Sequence, residues 1–381
     1  METDAKGGSR KPKKRVPKEK AIYNCHIHIF TKKNVPRYFL RYQFDFILGT
    51  VLSITLRWNP IARLISWISR HPYWFARLES LHRYARFILT GNLPSKKILE
   101  RIQRQYPKST VFVVLPMDMA FMNTGDIEES IEIQHKQLLE LTQDKDLKDL
   151  IVPFYAVDPR RPDIVERVRE NVTPQKFRGV KIYPNLGYYP NDKTLMQVYE
   201  ICQEQNVPVM THCSAGGVWK YPLKQVQRAQ MSHPHNYREI LEQFPNLRLC
   251  LAHYGSASDW ERHLKGRAEP SKQGEPWVAI ISNMISEGSY PNLYTDISMT
   301  LFFPKPPGLY FDFFDYLKVL LSNSRIREHV LFGSDYFMLE TASLSEKQVS
   351  LGLRSRLGEE LYFQIAHYNP RRYLGLPRSG D

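Results

Sequence analysis

From residue 110 onward, short apolar runs alternate along the chain with stretches of helical periodicity. The apolar runs are residues 110–115, 151–157, 178–184, 207–212, 247–253, 292–298 and 329–335, and an earlier run occupies 23–30. Between them, stretches such as 127–143, 163–171, 192–206 and 221–244 have the composition of crossover helices. Near-continuous apolar strands that alternate with helices predict a parallel sheet covered on both faces.

The number of these units indicates how the sheet is arranged. Eight strand–helix units predict an α/β protein of the closed (β/α)8 type, a TIM barrel. A doubly wound open sheet is the alternative. It would need a glycine-rich phosphate-binding turn after the first strand, and the sequence has none there. The barrel is therefore the preferred prediction.

A different pattern fills the connection between the first two strands, residues 36–106. Ile61, Leu64, Ile65 and Ile68 follow helical spacing, and arginines occupy intervening positions. We interpret 36–106 as a helical insertion, or lid, that caps the mouth of the barrel. Its aromatic and basic residues are compatible with three roles: a lid over an anionic or aromatic substrate, an oligomer interface, or a membrane-surface patch.

Composition places the chain among folded globular proteins, with 42% hydrophobic and 24% charged residues. The formal net charge is +14, and the first twenty residues hold eight Lys or Arg against three acidic residues. We expect residues 1–20 to be a disordered, solvated tail. A contact with anionic membrane or nucleic acid is the alternative, although no nucleic-acid motif follows the tail.

Two further features indicate the compartment. No apolar run reaches the roughly 20 residues of a membrane helix, and the N-terminus has no signal-peptide pattern. The four cysteines, Cys25, Cys202, Cys213 and Cys250, include no C-x-x-C pair. We therefore expect buried thiols and a cytoplasmic protein.

Titratable residues stand at the carboxyl ends of several predicted strands. His26 and His28 end the first strand, and their i, i+2 spacing places both imidazoles on one face. His212 ends the fifth strand, His253 the sixth and Asp335 the eighth. Because strand ends converge at one mouth of a barrel, we expect these side chains to meet. Imidazole is the commonest metal ligand, so this pattern favours a metal site.

Several motifs of the chain resemble those of the amidohydrolase superfamily. The resemblance is to the amidohydrolase-related (amidohydrolase 2) branch of TIM-barrel metal-dependent hydrolases and decarboxylases. The matching segments are C-H-I-H-I-F, R-G-V-K-I-Y-P-N-L-G-Y-Y-P-N-D, P-V-M-T-H-C-S, L-C-L-A-H-Y-G, L-F-G-S-D-Y and Y-N-P-R-R-Y-L-G-L. They extend from about residue 21 to residue 376. In this order they are specific for the family, but they say little about the substrate.

The resemblance implies one divalent metal ion, usually zinc, held by His26, His28, His212 and Asp335, with His253 nearby. It implies a hydrolase in which metal-activated water attacks a C–N or C–O bond of a small carboxylate, amide or lactone. Asp335 and His253 would be the catalytic residues. A nonoxidative decarboxylase of an aromatic or unsaturated carboxylic acid is the alternative. The third hypothesis is a non-catalytic barrel that binds a partner.

Lys181, near the end of the fourth strand, leaves more than one role open. Some superfamily members carry a carboxylated lysine at this strand that bridges two metal ions, and G-V-K-I-Y-P is compatible with that. Lys181 could instead bind a substrate carboxylate or form a buried ion pair. The expected partner is a small-molecule substrate, possible homodimer formation is left open, and no nucleic acid is expected.

Overall fold

The computed structural model describes residues 20–68, 72–266, 274–300, 307–336 and 345–377, with the side chains of 72–80 and 307–312 excepted. Of the predicted tail, 1–20, only Lys20 falls within these residues. The predicted eighth strand, 329–335, and the closing motif up to residue 376 lie inside them.

Short parallel strands make up the sheet of the described chain. They are β1 Tyr23–Ile27, β2 Val111–Val114, β3 Ile151–Pro153, β4 Tyr155–Val157, β5 Val180–Ile182, β6 Val209–His212, β7 Leu249–Ala252, β8 Leu293–Asp296 and β9 Val330–Leu331. β1, β2 and β3 pair in that order, and β4 to β9 pair in chain order. Only Phe154 separates β3 from β4, so together they correspond to one predicted strand.

Backbone contacts bring the end of the sheet back to its beginning. The Cys25 N–H donates to the carbonyl of Phe332 at 2.8 Å, and the Asp335 N–H donates to the carbonyl of His26 at 2.8 Å. Ile27 also forms a parallel bridge with Tyr336. The (β/α)8 architecture that the strand–helix alternation predicted is confirmed, and these contacts place the ends of β1 and β9 side by side.

Helices follow the strands and also fill the insertion. They are α1 Phe46–Leu56, α2 Asn59–Ile68, α3 Pro72–Gly91, α4 Ser95–Gln103, α5 Ile131–Gln143, α6 Ile164–Asn171, α7 Lys193–Glu204, α8 Gln225–Met231, α9 Arg238–Gln243, α10 Ala257–Gly266, α11 Trp277–Ser286, α12 Pro307–Ser322, α13 Ser324–His329, α14 Glu346–Leu357, α15 Glu359–Phe363 and α16 Asn369–Tyr373. The helical content predicted for 36–106 is present as α1 to α4. The segment 221–244, which has the composition of a crossover helix, contains two short helices, α8 and α9. They are separated at Pro234, which lacks an N–H and begins a short 3-10 turn.

Apolar side chains fill two regions. The larger cluster lies between strands and helices, and a smaller one draws on strands all round the sheet and therefore fills the barrel interior. Members of the smaller cluster include Cys25, Val113, Val152, Met210, Cys250, Tyr294 and Leu331. All four cysteines are free and buried, as the sequence predicted. Among the described residues, no helix combines the length and apolarity needed to cross a membrane.

His135, on α5, is a buried titratable group remote from the strand ends that carry the predicted ligands. Its Nε2 accepts a hydrogen bond from the Ala156 N–H at 3.0 Å, and its ring stacks on Tyr155 with 3.9 Å between centroids. Burial lowers the pKa of His135 from 6.5 to about 3. The neutral imidazole is therefore part of the native packing.

We expect acid to destabilise the fold partly through His135. The unfolded chain binds a proton at this imidazole near pH 6.5 and the folded chain only near pH 3, so the stabilisation is complete above pH 6.5 and is lost as the pH falls. The loss is about 1.4 kcal/mol per pH unit in that window. Urea unfolding at about pH 7 and about pH 4.5 measures it. His135→Gln, which keeps an acceptor for Ala156, should show a shallower pH dependence, and an equally steep one would contradict this assignment.

Candidate metal centre

Three predicted ligands meet where β1 and β9 lie side by side. His28 Nε2 is 3.0 Å from Asp335 Oδ1, and His26 Nε2 is 3.4 Å from the same oxygen. The three ligand atoms all lie within 4.8 Å of one another, and all three residues are buried. The structure therefore brings together residues that are about three hundred positions apart in the chain.

The local backbone explains this approach. Gly333 packs against β1 so closely that a Cβ atom there would lie 2.8 Å from the Cβ of His26. Asp335 adopts a left-handed conformation with φ of 59°, and its N–H bonds to the His26 carbonyl. The G-S-D sequence after β9 thus turns the carboxylate of Asp335 toward the two imidazoles.

Hydrogen bonds fix the proton on each imidazole. His26 Nδ1 lies 2.9 Å from Asp296 Oδ2, and His28 Nδ1 lies 2.7 Å from the carbonyl oxygen of Leu115. Both oxygens can only accept, so Nδ1 of each ring carries a proton, and Nε2 is the ring nitrogen that faces Asp335. A partner on the far nitrogen is also the usual way in which metal-binding histidines are oriented.

The charge states make this arrangement unfavourable without a cation. Burial, together with the charge of Lys181, lowers the pKa of His26 to about 3, so the ring is neutral near pH 7. Burial alone would raise the pKa of Asp335, but the neighbouring imidazoles of His28 and His26 hold it well below its ordinary value. An ionised carboxylate oxygen thus faces the lone pair of His26. Two nitrogens and one oxygen are donors that divalent zinc accepts, so these residues fit a metal ion.

Asp296 and Ser298 belong to the same network, and sequence reasoning missed them. Asp296 Oδ1 accepts hydrogen bonds from the N–H groups of His253 (3.1 Å) and Ser298 (2.9 Å), while Oδ2 holds His26. Burial raises the pKa of Asp296, but its interactions with His26 hold this pKa below its ordinary value. The available signal was its position: Asp296 ends β8, as the predicted ligands end their strands.

His212 and His253 form a pair beside the three ligands. His212 Nδ1 lies 2.9 Å from His253 Nε2, and His212 Nε2 lies 3.1 Å from the Gly216 carbonyl. His253 Nδ1 in turn lies 2.9 Å from Ser298 Oγ. Burial lowers the pKa of both imidazoles. Since both nitrogens of His212 have hydrogen-bond partners, it would exchange one of them to bind a metal, and its assignment as a ligand stays a prediction.

Lys181 lies in the middle of β5 and is buried. Its side chain is 2% exposed, and its Nζ has no hydrogen-bond partner within the described part of the chain. Burial lowers the pKa of Lys181 to about 8, although Asp296 and Asp335 raise it. No ion pair of Lys181 is present among the described residues, and its bridging, substrate-binding and ion-pair roles stay predictions.

A cavity of about 460 Å³ opens above the metal-binding residues. His26, His28, His212, His253 and Asp335 all line it. Most of its wall is apolar or aromatic: Phe30, Phe39, Leu40, Tyr42, Tyr84, Phe87, Met117, Met119, Val218, Trp219 and Met299. Several of these residues come from the insertion 36–106, which is consistent with its interpretation as a lid.

Comparison with known proteins agrees with this geometry. The sequence profile of the amidohydrolase family matches residues 110–376. The chain belongs to the amidohydrolase family, whose members are metal-dependent enzymes that include hydrolases and decarboxylases. No curated protein matches the sequence.

Solved structures of similar fold come from several bacteria. 5-carboxyvanillate decarboxylase LigW from Sphingomonas paucimobilis is 12% identical, with 94% of this chain and 99% of that chain covered and a TM-score of 0.52. The 5-carboxyvanillate decarboxylase of Novosphingobium aromaticivorans, complexed with manganese and 4-hydroxy-3-methoxy-5-nitrobenzoic acid, is 14% identical, with 74% and 83% covered and a TM-score of 0.48. 2,6-dihydroxybenzoate decarboxylase from Rhizobium is 14% identical, with 74% and 87% covered and a TM-score of 0.45. At these identities the likeness concerns the fold.

The Asp296 contact gives a direct test of the network. Asp296→Asn keeps the size of the side chain but removes the charge that orients His26, so metal affinity should fall by about 10- to 100-fold. Isothermal titration calorimetry of the metal-free protein with zinc measures the change in affinity. Asp118→Asn is a matched control, because the carboxylate of Asp118 also follows a strand but pairs with Arg161 at 2.8 Å. Equal affinities for the two variants would contradict the role of Asp296.

Proposed function

We propose that the chain is a metal-dependent hydrolase that acts on a C–N or C–O bond of a small carboxylate, amide or lactone. The observation that carries the proposal is the neutral His26 imidazole, whose Nε2 lone pair faces the ionised carboxylate of Asp335 at 3.4 Å in a buried pocket. A divalent ion bound there would lower the pKa of water toward 7 and polarise a substrate carbonyl.

His26, His28 and Asp335 would hold the ion, with His212 as the fourth predicted ligand. Asp335 is also placed to move a proton, because its carboxylate lines the cavity and is ionised before the reaction. It would accept a proton from the attacking water and return it to the leaving group. Asp335 would therefore be both a metal ligand and the general base.

His253 is positioned to stabilise negative charge on the substrate. Its ring centroid lies 4.9 Å from that of His26 and 4.7 Å from that of His212, and it lines the cavity. The bonds to His212 and Ser298 fix the plane of the imidazole. To act on the substrate, His253 would exchange its contact with His212 Nδ1 and donate the Nε2 hydrogen to negative charge that develops on the substrate oxygen.

Nonoxidative decarboxylation of an aromatic carboxylic acid is the second candidate, and the cavity wall favours it. Phe39, Tyr84 and Phe87 stack nearly parallel, with interplanar angles of 3° to 16°, and all three line the cavity. Aromatic side chains of this kind bind a planar ring through offset stacking. Arg83 also lines the cavity and is a suitable partner for a carboxylate.

One assay separates the two candidates. The zinc- or manganese-loaded protein is incubated with aryl carboxylates, lactones and amides, while acid release and carbon dioxide release are followed in parallel. Acid release from a lactone or amide without carbon dioxide supports hydrolysis. Carbon dioxide release from an aryl carboxylate would replace the hydrolase assignment with the decarboxylase. A metal-loaded protein that is inactive on every compound would count against both.

A further inference from the structure

The outward side of α1 and α2 carries an unusual concentration of exposed apolar side chains. Of the fourteen large hydrophobic residues that are exposed in the described part of the chain, eight lie between residues 46 and 67. We call this surface the apolar helix face; its members are Phe46, Ile47, Leu48, Val51, Ile54, Trp58, Leu64 and Trp67. Single exposed apolar residues are ordinary, but a group on two consecutive helices marks an interaction surface.

The way α1 packs explains why these residues face outward. Its buried positions are Gly49, Ser53 and Leu56. A Cβ atom at Gly49 would lie 2.8 Å from the Cα of Arg41. The backbone of α1 therefore lies almost in contact with the backbone of the 3-10 helix Phe39–Tyr42. Ser53 Oγ accepts a hydrogen bond from the Leu40 N–H at 2.9 Å. Besides Leu56, the buried side of α1 therefore consists of small or polar residues, and Phe46, Ile47, Leu48, Val51 and Ile54 are exposed.

The charge of this region identifies its partner. Residues 46–78 contain no Asp or Glu and four arginines, namely Arg57, Arg63, Arg70 and Arg77. Arg57 is paired with Glu128, outside this segment, at 3.2 Å. Arg63 is itself exposed, next to Leu64 of the apolar helix face. The whole chain has a net charge of +14, and residues 1–20 add further Lys and Arg. The partner must therefore be apolar and carry negative charge.

We propose that the apolar helix face docks on the surface of an anionic lipid bilayer. A helix that lies in the membrane interface combines Trp, Phe and Leu or Ile on one side with basic residues nearby, and exposed Trp58 and Trp67 are typical of the headgroup level. α1 has 11 residues, so it is about 16 Å long, roughly half of the hydrocarbon thickness of about 30 Å. It would lie along the interface rather than cross it.

A second copy of the chain is a poorer occupant of the same surface. In a two-fold dimer each patch meets its own equivalent, so the exposed Arg63 of one copy would face the same positively charged surface of the other copy. No acidic residue within 46–78 could neutralise this charge. Anionic lipid headgroups would neutralise Arg63 and accept the apolar side chains at the same time.

Vesicle flotation with the full chain tests this proposal. The vesicles are phosphatidylcholine alone or an equal mixture of phosphatidylcholine and phosphatidylserine. We expect the protein to float with the mixed vesicles and much less with phosphatidylcholine alone. The variant Ile47→Ser/Val51→Ser/Ile54→Ser should bind the mixed vesicles about tenfold more weakly or worse. Because these positions are exposed, the variant should fold and keep its metal content.

A matched control removes apolar surface elsewhere. Val226→Ser/Val319→Ser/Leu351→Ser changes three exposed side chains that lie outside the apolar helix face, and it should float like the unaltered protein. Absence of flotation, or equal flotation of the two triple variants, would overturn the proposal. A dimer in analytical ultracentrifugation that the α1 variant dissociates, without vesicle binding, would overturn it in favour of a copy-to-copy interface.

Discussion

Asp335→Asn is expected to abolish turnover and to leave the purified protein almost free of metal. The amide keeps the shape of the side chain but removes the negative charge between His26 and His28, at 3.4 and 3.0 Å. Two neutral imidazoles would then have to hold a divalent ion in a buried site without an anionic ligand. Loss of the proton acceptor alone should lower kcat by about 10²- to 10⁴-fold, and elemental analysis should show the loss of metal.

Asp158→Asn is the control for this experiment. Asp158 is equally buried and also follows a strand, but its carboxylate pairs with Arg160 at 2.5 Å and does not line the cavity. That variant should keep its metal and its activity. An Asp335→Asn protein with full metal content and normal turnover would remove Asp335 from both of its proposed roles.

His253→Ala is expected to separate turnover from metal binding. His253 contacts the network through Ser298 and His212 rather than through Asp335 Oδ1. Its loss should lower kcat by about 10²- to 10⁴-fold, while most of the metal remains. His212→Ala should lower both turnover and metal content, because His212 is the fourth predicted ligand. Activity assays and elemental analysis of the two variants, side by side, measure the difference.

The outcome of that pair also decides between two ligand sets. His26, His253 and Asp296 form a second group whose ligand atoms lie within 4.8 Å of one another. Loss of metal in His253→Ala, with retention in His212→Ala, would move His253 into the ligand set. It would also contradict the predicted set of His26, His28, His212 and Asp335.

The sequence predicted the strand order and the convergence of strand ends because both follow from short-range rules. The run 207–210 is apolar and is followed by Thr211 and His212, which is enough to place a titratable group at the barrel mouth. The same rule applied to Asp296, at the end of β8, but was not used there. Pro234 is a similar local signal, because a proline within 221–244 indicates that a helix there is interrupted.

Other features depend on contacts that no local pattern contains. Whether His212 meets Asp335 or His253 depends on how the strands are rotated and staggered around the barrel. The stacking of Phe39 on Tyr84 and Phe87 depends on how the insertion folds back on itself. The tautomer of His28 depends on the carbonyl of Leu115, which lies on a different part of the chain. The sequence could therefore predict which groups gather, but not which atoms touch.

A crystal structure of the zinc-loaded protein, with anomalous scattering recorded at the zinc edge, would locate the metal ion. We expect one strong anomalous peak at about 2.0–2.2 Å from His26 Nε2, His28 Nε2 and a carboxylate oxygen of Asp335. A peak located elsewhere, or no peak while these three side chains keep their present positions, would contradict it.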